Sequence, residues 1–274
     1  MNKNNNKIIT DQRLFFNLNA NKKSKNPYLN KLFTQYANQI QTVAFTWLKN
    51  SKTILDYGCG TGPSIDLFLG NKNPGNYQIV GVDIAENSIK QARKKYPLYK
   101  FYTIRNNKVP QVKNNSIDAV IMAHILHHSH NHSDIFKEIH SKLKNGGRFL
   151  IMDLSSGNPF VQLGRLLFVH LPMSIKNKFS DDLVIDGRIP EKYKINISDV
   201  VFKLEKIGFS IEKIEYGHLF FFLFGWLDKF FPFSDNKIIN SIYKSLINFE
   251  GFLLKFEFFR SQAEMLVIRC YKKN

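Results

Sequence analysis

The sequence has few cysteines, and its beginning lacks the features of a secretory leader. The two cysteines, Cys59 and Cys270, lie far apart and do not form a pair with metal-binding spacing. This usage favours a reduced, intracellular protein. The opening residues, MNKNNNKIITDQR, contain no apolar core followed by a small-residue cleavage site, which argues against secretion.

Acidic residues are scarce relative to basic ones. The chain of 274 residues has 39 Lys and Arg against 22 Asp and Glu, a formal net charge of +17. Such a charge attracts polyanions, either nucleic acid or an anionic membrane surface. The lysines are scattered, however, and Lys, Asn and Ile are abundant throughout, as in proteins from AT-rich genomes. The charge alone therefore leaves the nature of a partner open.

Strand-like and helix-like segments alternate between residues 52 and 154. Apolar runs with the length and composition of strands are TILDYG, YQIVGVD, KFYTI, SIDAVIMAH and RFLIMDL. The segments SIDLFL, ENSIKQARKKY and SDIFKEIHSKLKNGG have helical periodicity, and Ser133 is the predicted N-cap of the last, with the glycines at 146 and 147 as its stop. This alternation predicts an α/β fold with an open parallel sheet and helices on both faces.

Further elements flank this core. A helix is predicted over residues 28–48, and another over SDVVFKLEKIG, with Ser198 as its cap and Gly208 as its stop. FSIEKIEYG and EMLVIRCYK have the pattern of two more strands, which brings the predicted sheet to seven.

The stretch ILDYGCGTGPS, residues 54–64, places three glycines directly after the first predicted strand. Ligands of open α/β sheets bind beyond the carboxyl ends of the strands, so a ligand is expected there. GCGTG differs from the GxGxxG spacing of nicotinamide-binding turns, and Asp56 and Asp83 end the first two strands. Acidic residues at this place suit a cationic ligand.

With these motifs in this order, the segment resembles a class I S-adenosylmethionine-dependent methyltransferase, closest to the small-molecule enzymes of ubiquinone and menaquinone biosynthesis. The resemblance covers residues 50–155 closely. It implies a Rossmann-like, seven-stranded sheet that is mostly parallel with an antiparallel last strand, and S-adenosylmethionine as the cofactor. It also implies that residues 50–274 form the methyltransferase domain, with cap insertions at about 155–196 and 220–262, and that residues 1–49 form a helical lid in which Phe33 or Tyr36 faces the cofactor.

The resemblance also implies which residues bind the cofactor. The glycines would admit the adenosyl-methionine, Asp56 would lie near its amino group, Asp83 would bind the ribose, and Ile84 would pack on the adenine. Arg105 or Asn106 stands where the family has an acidic residue, and the Asn106 amide oxygen could accept the adenine amino group's hydrogen bond. The full set of expected cofactor-binding residues is Asp56, Gly58, Cys59, Gly60, Gly62, Asp83, Ile84, Arg105, Asn106, Ala123 and His124.

HILHHSHNH holds five histidines between residues 124 and 132. Three interpretations stay open: a metal site using His124 and His128, a general base at His127 or His128, and histidines that only pack or hydrogen-bond. No metal is expected, because the resembled family needs none. Methyl transfer from an activated sulfonium depends mainly on positioning, so a base is not strictly required.

The last third of the chain is rich in phenylalanine. LFFFLFGWL is apolar over nine residues, too short for the roughly 20 that a membrane span needs. A helix over 238–260 would carry one apolar stripe: Ile238, Ile242, Leu246, Phe249, Leu253 and Phe256. The stripe could pack as an ordinary cap, enclose an apolar substrate, or dip into an anionic membrane.

We therefore expect a methyltransferase that acts on a small, apolar or lipid-like acceptor. Its expected location is the cytoplasm, and the alternative is a peripheral position at a membrane. The alternative is an RNA or protein methyltransferase, which the basic charge favours, although no RNA-binding motif and no Asn-Pro-Pro-Tyr type motif is present. A binding subunit without catalysis is the third class, and the intact glycines and Asp83 argue against it.

Overall fold

The structure is a computed structural model, and the residues that it describes are 13, 14, 17, 31–70, 73–129, 131–154, 195–219 and 236–274, with the backbone alone for 31–38. Its helices are α1 (Lys31–Thr46), α2 (Pro63–Leu69), α3 (Glu86–Lys95), α4 (His132–Lys142), α5 (Ile197–Ile207), α6 (Lys237–Leu253) and α7 (Glu257–Arg260). Its strands are β1 (Thr53–Tyr57), β2 (Gln78–Asp83), β3 (Lys100–Thr103), β4 (Ile117–Ala123), β5 (Leu143–Leu154), β6 (Phe209–Gly217) and β7 (Met265–Lys272).

The seven strands form one sheet in the order β3-β2-β1-β4-β5-β7-β6. Strands β1 to β5 pair in parallel, while β7 is antiparallel to both of its neighbours, β5 and β6. The predicted seven-stranded, mostly parallel sheet with an antiparallel last strand is confirmed. The strand order reverses between β1 and β4, so their carboxyl ends flank the crevice in which such sheets bind ligands.

Helices cover both faces of the sheet, as the alternation predicts. On one face, α1, α2 and α3 contribute Phe45, Phe68 and Ile89 to the core, and on the other α4 and α5 contribute Phe136 and Leu204. Strand β4 lies between the two layers, which explains its nearly continuous apolar sequence. Burial of both faces holds the ends of β1, β2, β4 and β5 in fixed positions beside one another.

Two helix starts differ from the sequence prediction. The N-cap of α4 is Asn131, not Ser133, and its side chain accepts a hydrogen bond from the N–H of Asp134. The N-cap of α5 is Asn196, not Ser198, and it accepts from the N–H of Asp199. Asn and Ser satisfy the free N–H groups of a first turn equally well, so the residue type alone does not distinguish them. Gly208 does end α5, with a φ of 110°.

The end of α4 also differs from the prediction. The helix stops at Lys142, and β5 begins at once with Leu143, so the stretch LKNGG belongs to the strand rather than to the last helical turn. Leu143 pairs with Ile117, and the register then shifts before Arg148 pairs with Ala119. Gly146 has a φ of +68° within this irregular start, a conformation that favours glycine.

Several predictions fall outside the described residues. These are the first part of the lid, most of the segment 155–196, the run LFFFLFGWL after its first leucine, and the side chains of Phe33 and Tyr36. Phe45 of α1 and Leu48, just after this helix, are buried in the core. Among the helices in the described ranges, none is long and apolar enough to cross a membrane.

Candidate active site

The glycine turn after β1 has left-handed backbone at each of its glycines. Gly58, Gly60 and Gly62 have φ values of 81°, 52° and 95°. A Cβ on Gly58 would collide with Ile125, and one on Gly62 would collide with the ring of Tyr96. A Cβ on Gly60 would meet no atom within 4 Å, so it would project into open space beside the turn. Two of the glycines are therefore required for packing, whereas Gly60 leaves space that a ligand can approach.

The N–H groups of this turn are largely used inside the protein. Gly58 and Cys59 both donate to the carbonyl of Val82, at 2.7 and 3.0 Å, and Gly62 donates to the carbonyl of Cys59. Gly60 donates to Oδ2 of Asp83 at 2.9 Å. A phosphate-binding turn needs such N–H groups to point at the ligand. The turn thus fits a ligand that approaches the backbone closely without being an anion.

Asp83 connects the ends of β2 and β1. Its Oδ2 accepts the N–H of Gly60, and its Oδ1 accepts the N–H of Ala85 at 2.8 Å. Burial raises the pKa of Asp83, although the backbone hydrogen bonds counteract part of that rise. A carboxylate has about four lone-pair positions, so both oxygens retain capacity to accept hydroxyl groups of a ribose.

Asp56 is a fully buried carboxyl at the end of β1. Among the described residues, no hydrogen-bond partner reaches its Oδ2. Burial, and secondarily the charge of Asp83, raises the pKa of Asp56 to about 7. A buried, unpaired acceptor is costly unless something binds to it. An ammonium group at this place would supply both the missing hydrogen bond and the opposite charge, so Asp56 fits the amino group of S-adenosylmethionine.

The other residues expected at the cofactor have different surroundings. Ile84 is half-buried next to Asp83, and Cys59 is buried, which together with the charges of Asp56 and Asp83 raises the pKa of its thiol. Arg105 and Asn106 are exposed in a turn after β3, closed by the N–H of Lys108 on the carbonyl of Arg105.

The end of β4 carries a second left-handed position. Ala123 is half-buried at the end of the strand, and His124, which follows it, has a φ of +58°. His124 donates its backbone N–H to the carbonyl of Met152 at 2.8 Å. Its Nε2 lies 3.5 Å from Nε2 of Gln41 in α1. Helix α1 therefore extends over the end of β4, next to the crevice.

His127 is paired with a buried carboxylate. Its Nδ1 lies 2.5 Å from Oδ1 of Asp153, near the end of β5, and Oδ2 of Asp153 accepts the N–H of Leu126 at 2.7 Å. Burial alone would raise the pKa of Asp153, but the hydrogen bond and charge of His127 and the charge of His124 outweigh it and lower that pKa. In either form of the imidazole, Nδ1–H of His127 can donate to this carboxylate, and in the neutral form Nε2 then keeps its lone pair.

The remaining histidines have structural contacts. The ring of His128 lies 3.9 Å from that of His127, and Nε2 of His132 donates to the carbonyl of Leu126 at 3.0 Å. His130 lies outside the described residues. Over the described part of the chain, no three His, Cys, Asp or Glu side chains are grouped closely enough to hold a metal ion.

Sequence reasoning missed two residues of this site. Asp153 and His127 are 26 positions apart, and Gln41 and His124 are 83 positions apart, so each contact depends on the sheet order. Asp153 had one usable feature: it is an acidic residue at the end of an otherwise apolar strand, next to β4. Gln41 had none, because polar residues are common along an amphipathic helix.

The glycine turn, Asp56 and Asp83 lie together at the carboxyl ends of β1 and β2, an arrangement that would suit a cationic ligand. Comparison with known proteins indicates the class of protein. Residues 55–151 match a family model described as a methyltransferase domain. A Haemophilus influenzae protein, described only as uncharacterized, is 26% identical over 106 residues, which are 36% of this chain and 41% of that protein. The chain thus spans less than half the length of this relative.

Solved structures of the same fold extend over most of the chain. A SAM-dependent methyltransferase from Archaeoglobus fulgidus is 14% identical, with a TM-score of 0.54 over 86% of this chain and 93% of that one. A cyclopropane synthase from Mycobacterium tuberculosis is 15% identical, with a TM-score of 0.55 over 94% and 98%. At such identities the likeness shows the fold alone.

Residues 55–151 thus match a methyltransferase domain, and S-adenosylmethionine is the cofactor that such a domain implies. The nicotinamide alternative is set aside. Membership of the ubiquinone and menaquinone group, and the role of each site residue, remain predictions.

Proposed function

We propose that the protein transfers a methyl group from S-adenosylmethionine to an oxygen, nitrogen or carbon atom of a small, apolar acceptor. One observation carries the cofactor part: Asp56 is buried beside Asp83 with an oxygen that no described residue hydrogen-bonds, next to a turn most of whose amides donate within the protein. An anionic cofactor would be repelled there, whereas a cationic one would be stabilised.

Residues of the chain would bind and orient the cofactor. Asp56 would hold the ammonium group, Asp83 would accept the ribose hydroxyls, and Gly60 would let the cofactor lie against the backbone. Ile84 would pack on the adenine, while the amide oxygen of Asn106 would accept a hydrogen bond from the adenine amino group. The bound cofactor supplies an activated methyl group, and positioning of the acceptor in line with it accounts for much of the rate.

His127 is the candidate base. Asp153 accepts its Nδ1–H, so its Nε2 can take the proton that the acceptor atom loses as it forms the bond to the methyl carbon. The carboxylate would stabilise the resulting imidazolium. His127 is buried, with 6% of its surface exposed. Burial favours a small acceptor that can enter the crevice, and it disfavours direct contact with a large, folded macromolecule.

The location and domain assignment belong to the same proposal. An apolar acceptor partitions into lipid, which suits a cytoplasmic protein that is peripheral at an anionic membrane. The lid at 1–49 and the insertion at about 155–196 would enclose the acceptor, and the insertion at about 220–262 would provide the contact with the membrane. They would add selectivity to the core at residues 55–151.

The test is a transfer assay with S-adenosylmethionine that carries a labelled methyl group. The protein is incubated with host extract, and the products are separated into organic-soluble, small aqueous and macromolecular fractions. We expect label in the organic-soluble fraction. Label in RNA or protein would overturn the apolar acceptor and favour the alternative that the charge of +17 suggests. Cofactor binding without any label transfer would indicate a binding subunit.

A further inference from the structure

A set of large apolar side chains on α6, on α7 and between them is exposed on the outside of the molecule. Their exposed fractions lie between 50% and 73%. We call this set the α6–α7 face, and its members are Ile238, Ile242, Phe249, Phe252, Phe256 and Phe258. Ring contacts connect Phe249 with Phe252 at 5.8 Å and Phe252 with Phe256 at 5.5 Å. These contacts join the three phenylalanines into one patch, and Ile238 and Ile242 are exposed on the same helix.

A different side of α6 fixes how the helix is turned. Tyr243 and Glu250, two turns apart, are 4% and 5% exposed. The two carboxylate oxygens of Glu250 accept the N–H groups of His218 and Leu219, at 3.0 and 2.9 Å, just after β6. A buried carboxylate with two backbone donors resists rotation of the helix, because rotation would leave all of these groups unpaired. Ile238, Ile242 and Phe249 therefore stay directed outward, whereas Leu246 and Leu253 of the predicted stripe are half-buried.

Helical geometry gathers the stripe into a narrow band. With 3.6 residues per turn, Ile238, Ile242 and Phe249 project within an arc of about 40°. The three predicted uses of this stripe differ in which way it should face. A cap or a substrate lid would bury it, whereas a surface contact requires an exposed face, which four of its six members provide.

The charges around the face are mostly positive. Between residues 236 and 260 the exposed basic side chains are Lys237, Lys244, Lys255 and Arg260, and Glu257 is the exposed acidic one. The other acid of this stretch, Glu250, is turned inward. Nζ of Lys255 lies 5.9 Å from the ring centroid of Phe252, so positive charge borders the aromatic patch.

An apolar face bordered by lysines is the pattern of a helix that lies in the headgroup region of an anionic membrane. Lysine side chains can extend to lipid phosphates while the aromatic rings enter the acyl boundary. A second copy of the chain suits this face less well. A twofold interface would bring the lysines of one copy near those of the other, and like charges disfavour such an arrangement.

We propose that the α6–α7 face docks on the surface of anionic lipid bilayers. Docking would bring the candidate active site to an acceptor dissolved in lipid, and this purpose rests on the proposed function. The docking itself requires neither cofactor nor acceptor.

The experiment measures binding of the full chain to vesicles, without cofactor or acceptor, by flotation. Vesicles of phosphatidylcholine alone are compared with vesicles that contain about 30% phosphatidylglycerol. We expect binding to the anionic vesicles and a loss of at least about tenfold in the double variant F249S/F252S. The matched control is L98S/F202S, because Leu98 and Phe202 are 74% and 62% exposed away from this face. Its binding should stay within about twofold of wild type.

Three results would overturn the docking proposal. One is wild-type protein that does not bind anionic vesicles. Another is equally strong vesicle binding by F249S/F252S and L98S/F202S, which would assign the binding to the net charge alone. The third is a dimer in solution that F249S/F252S abolishes, which would assign the face to a second copy. Methyl transfer is measured separately with extract, so a failure of docking and a failure of the proposed function are distinguished.

Discussion

At the scale of single residues, the site depends on a carboxyl whose charge is costly until the ligand arrives. Asp56 is buried, its pKa is raised to about 7, and Asp83 lies close enough to add to that rise. Between the ordinary range of an aspartate and pH 7, the ligand-free folded protein holds a proton on Asp56 that the unfolded chain has lost. Folding therefore becomes less favourable as the pH rises through this window.

Replacing Asp56 tests this cost directly. D56N removes the charge, so at pH 8 we expect the ligand-free variant to be more stable than wild type, by up to about 4 kcal/mol for a shift of this size. It should also bind S-adenosylmethionine at least about tenfold more weakly, because an amide does not neutralise the ammonium group. Chemical unfolding and calorimetric titration measure the two effects.

The pH dependence of binding distinguishes wild type from this variant. In wild type, affinity should fall as the pH drops below about 7, by up to about tenfold per pH unit, since the protonated carboxyl cannot pair with the cation. In D56N the affinity for the cofactor should fall less steeply with pH, because Asp83 is then the remaining acid of the pair. An equally steep fall in both proteins would contradict the role of Asp56.

His127 allows a second prediction at this scale. H127Q should lower the rate of label transfer by about 10²-fold or more while leaving cofactor affinity within about threefold of wild type. H132Q is the matched control, since His132 is 8% exposed, belongs to the same region and donates to Leu126. A loss of rate in H132Q as large as in H127Q would reduce His127 to a structural residue.

Sequence reasoning can nominate candidate residues at the ends of predicted strands, but it cannot pair residues that are distant in the sequence and meet only in the fold. Asp56 and Asp83 could be predicted because each ends a strand beside the glycine turn. Asp153 could not be paired with His127 without the β4–β5 register, in which Ala123 lies opposite Met152. The helix starts were wrong for another reason: Asn131 and Ser133 are both good caps, and local residue type does not decide between them.

At the scale of elements, the glycine turn combines packing with access. Gly58 and Gly62 are confined by Ile125 and Tyr96, and Tyr96 also donates its hydroxyl to the carbonyl of Gly62 at 2.8 Å. Gly60 faces open space with a similar left-handed backbone. Substituting it therefore separates backbone strain from the loss of space for a ligand.

Two alanine variants make this comparison. G60A should weaken cofactor binding at least about tenfold, because its methyl group would occupy the space beside the turn. G146A is the matched control: Gly146 also has positive φ, and its added Cβ would touch only Asn274 at 3.9 Å. Both variants should lose about 1–2 kcal/mol of stability from strain. Equal affinity in both proteins would show that Gly60 does not face the cofactor.

At the scale of the whole molecule, the alternation of strands and helices predicts the sheet. It does not predict which surface helices face solvent. The strand count and the antiparallel β7 agree with the resemblance. The parallel strands could be located in the sequence because strands buried on both faces have clear apolar runs. The direction of the α6 stripe could not be predicted. Amphipathic periodicity gives a stripe but not its neighbour, and here Glu250 and Tyr243 take the inner position.

The net charge of +17 also acts at this scale, and it should be separable from the site. Exposed lysines are screened by salt, since the Debye length falls from about 10 Å at 0.1 M to about 3 Å at 1 M, whereas buried charges are screened much less. Asp56 is buried within the fold, and Asp83 beside it is half-buried. Salt should therefore weaken contacts with polyanions far more than contacts with the cofactor.

Titrations at about 0.1 and 0.5 M NaCl test this separation. Retention on a heparin column should fall by at least about tenfold in effective affinity over that range, because each contact with the polyanion displaces counterions. The dissociation constant for S-adenosylmethionine should change by less than about threefold, as expected for a buried ion pair. A cofactor affinity that falls in parallel with heparin retention would mean that surface charge, rather than the carboxyls at the ends of β1 and β2, attracts the ligand.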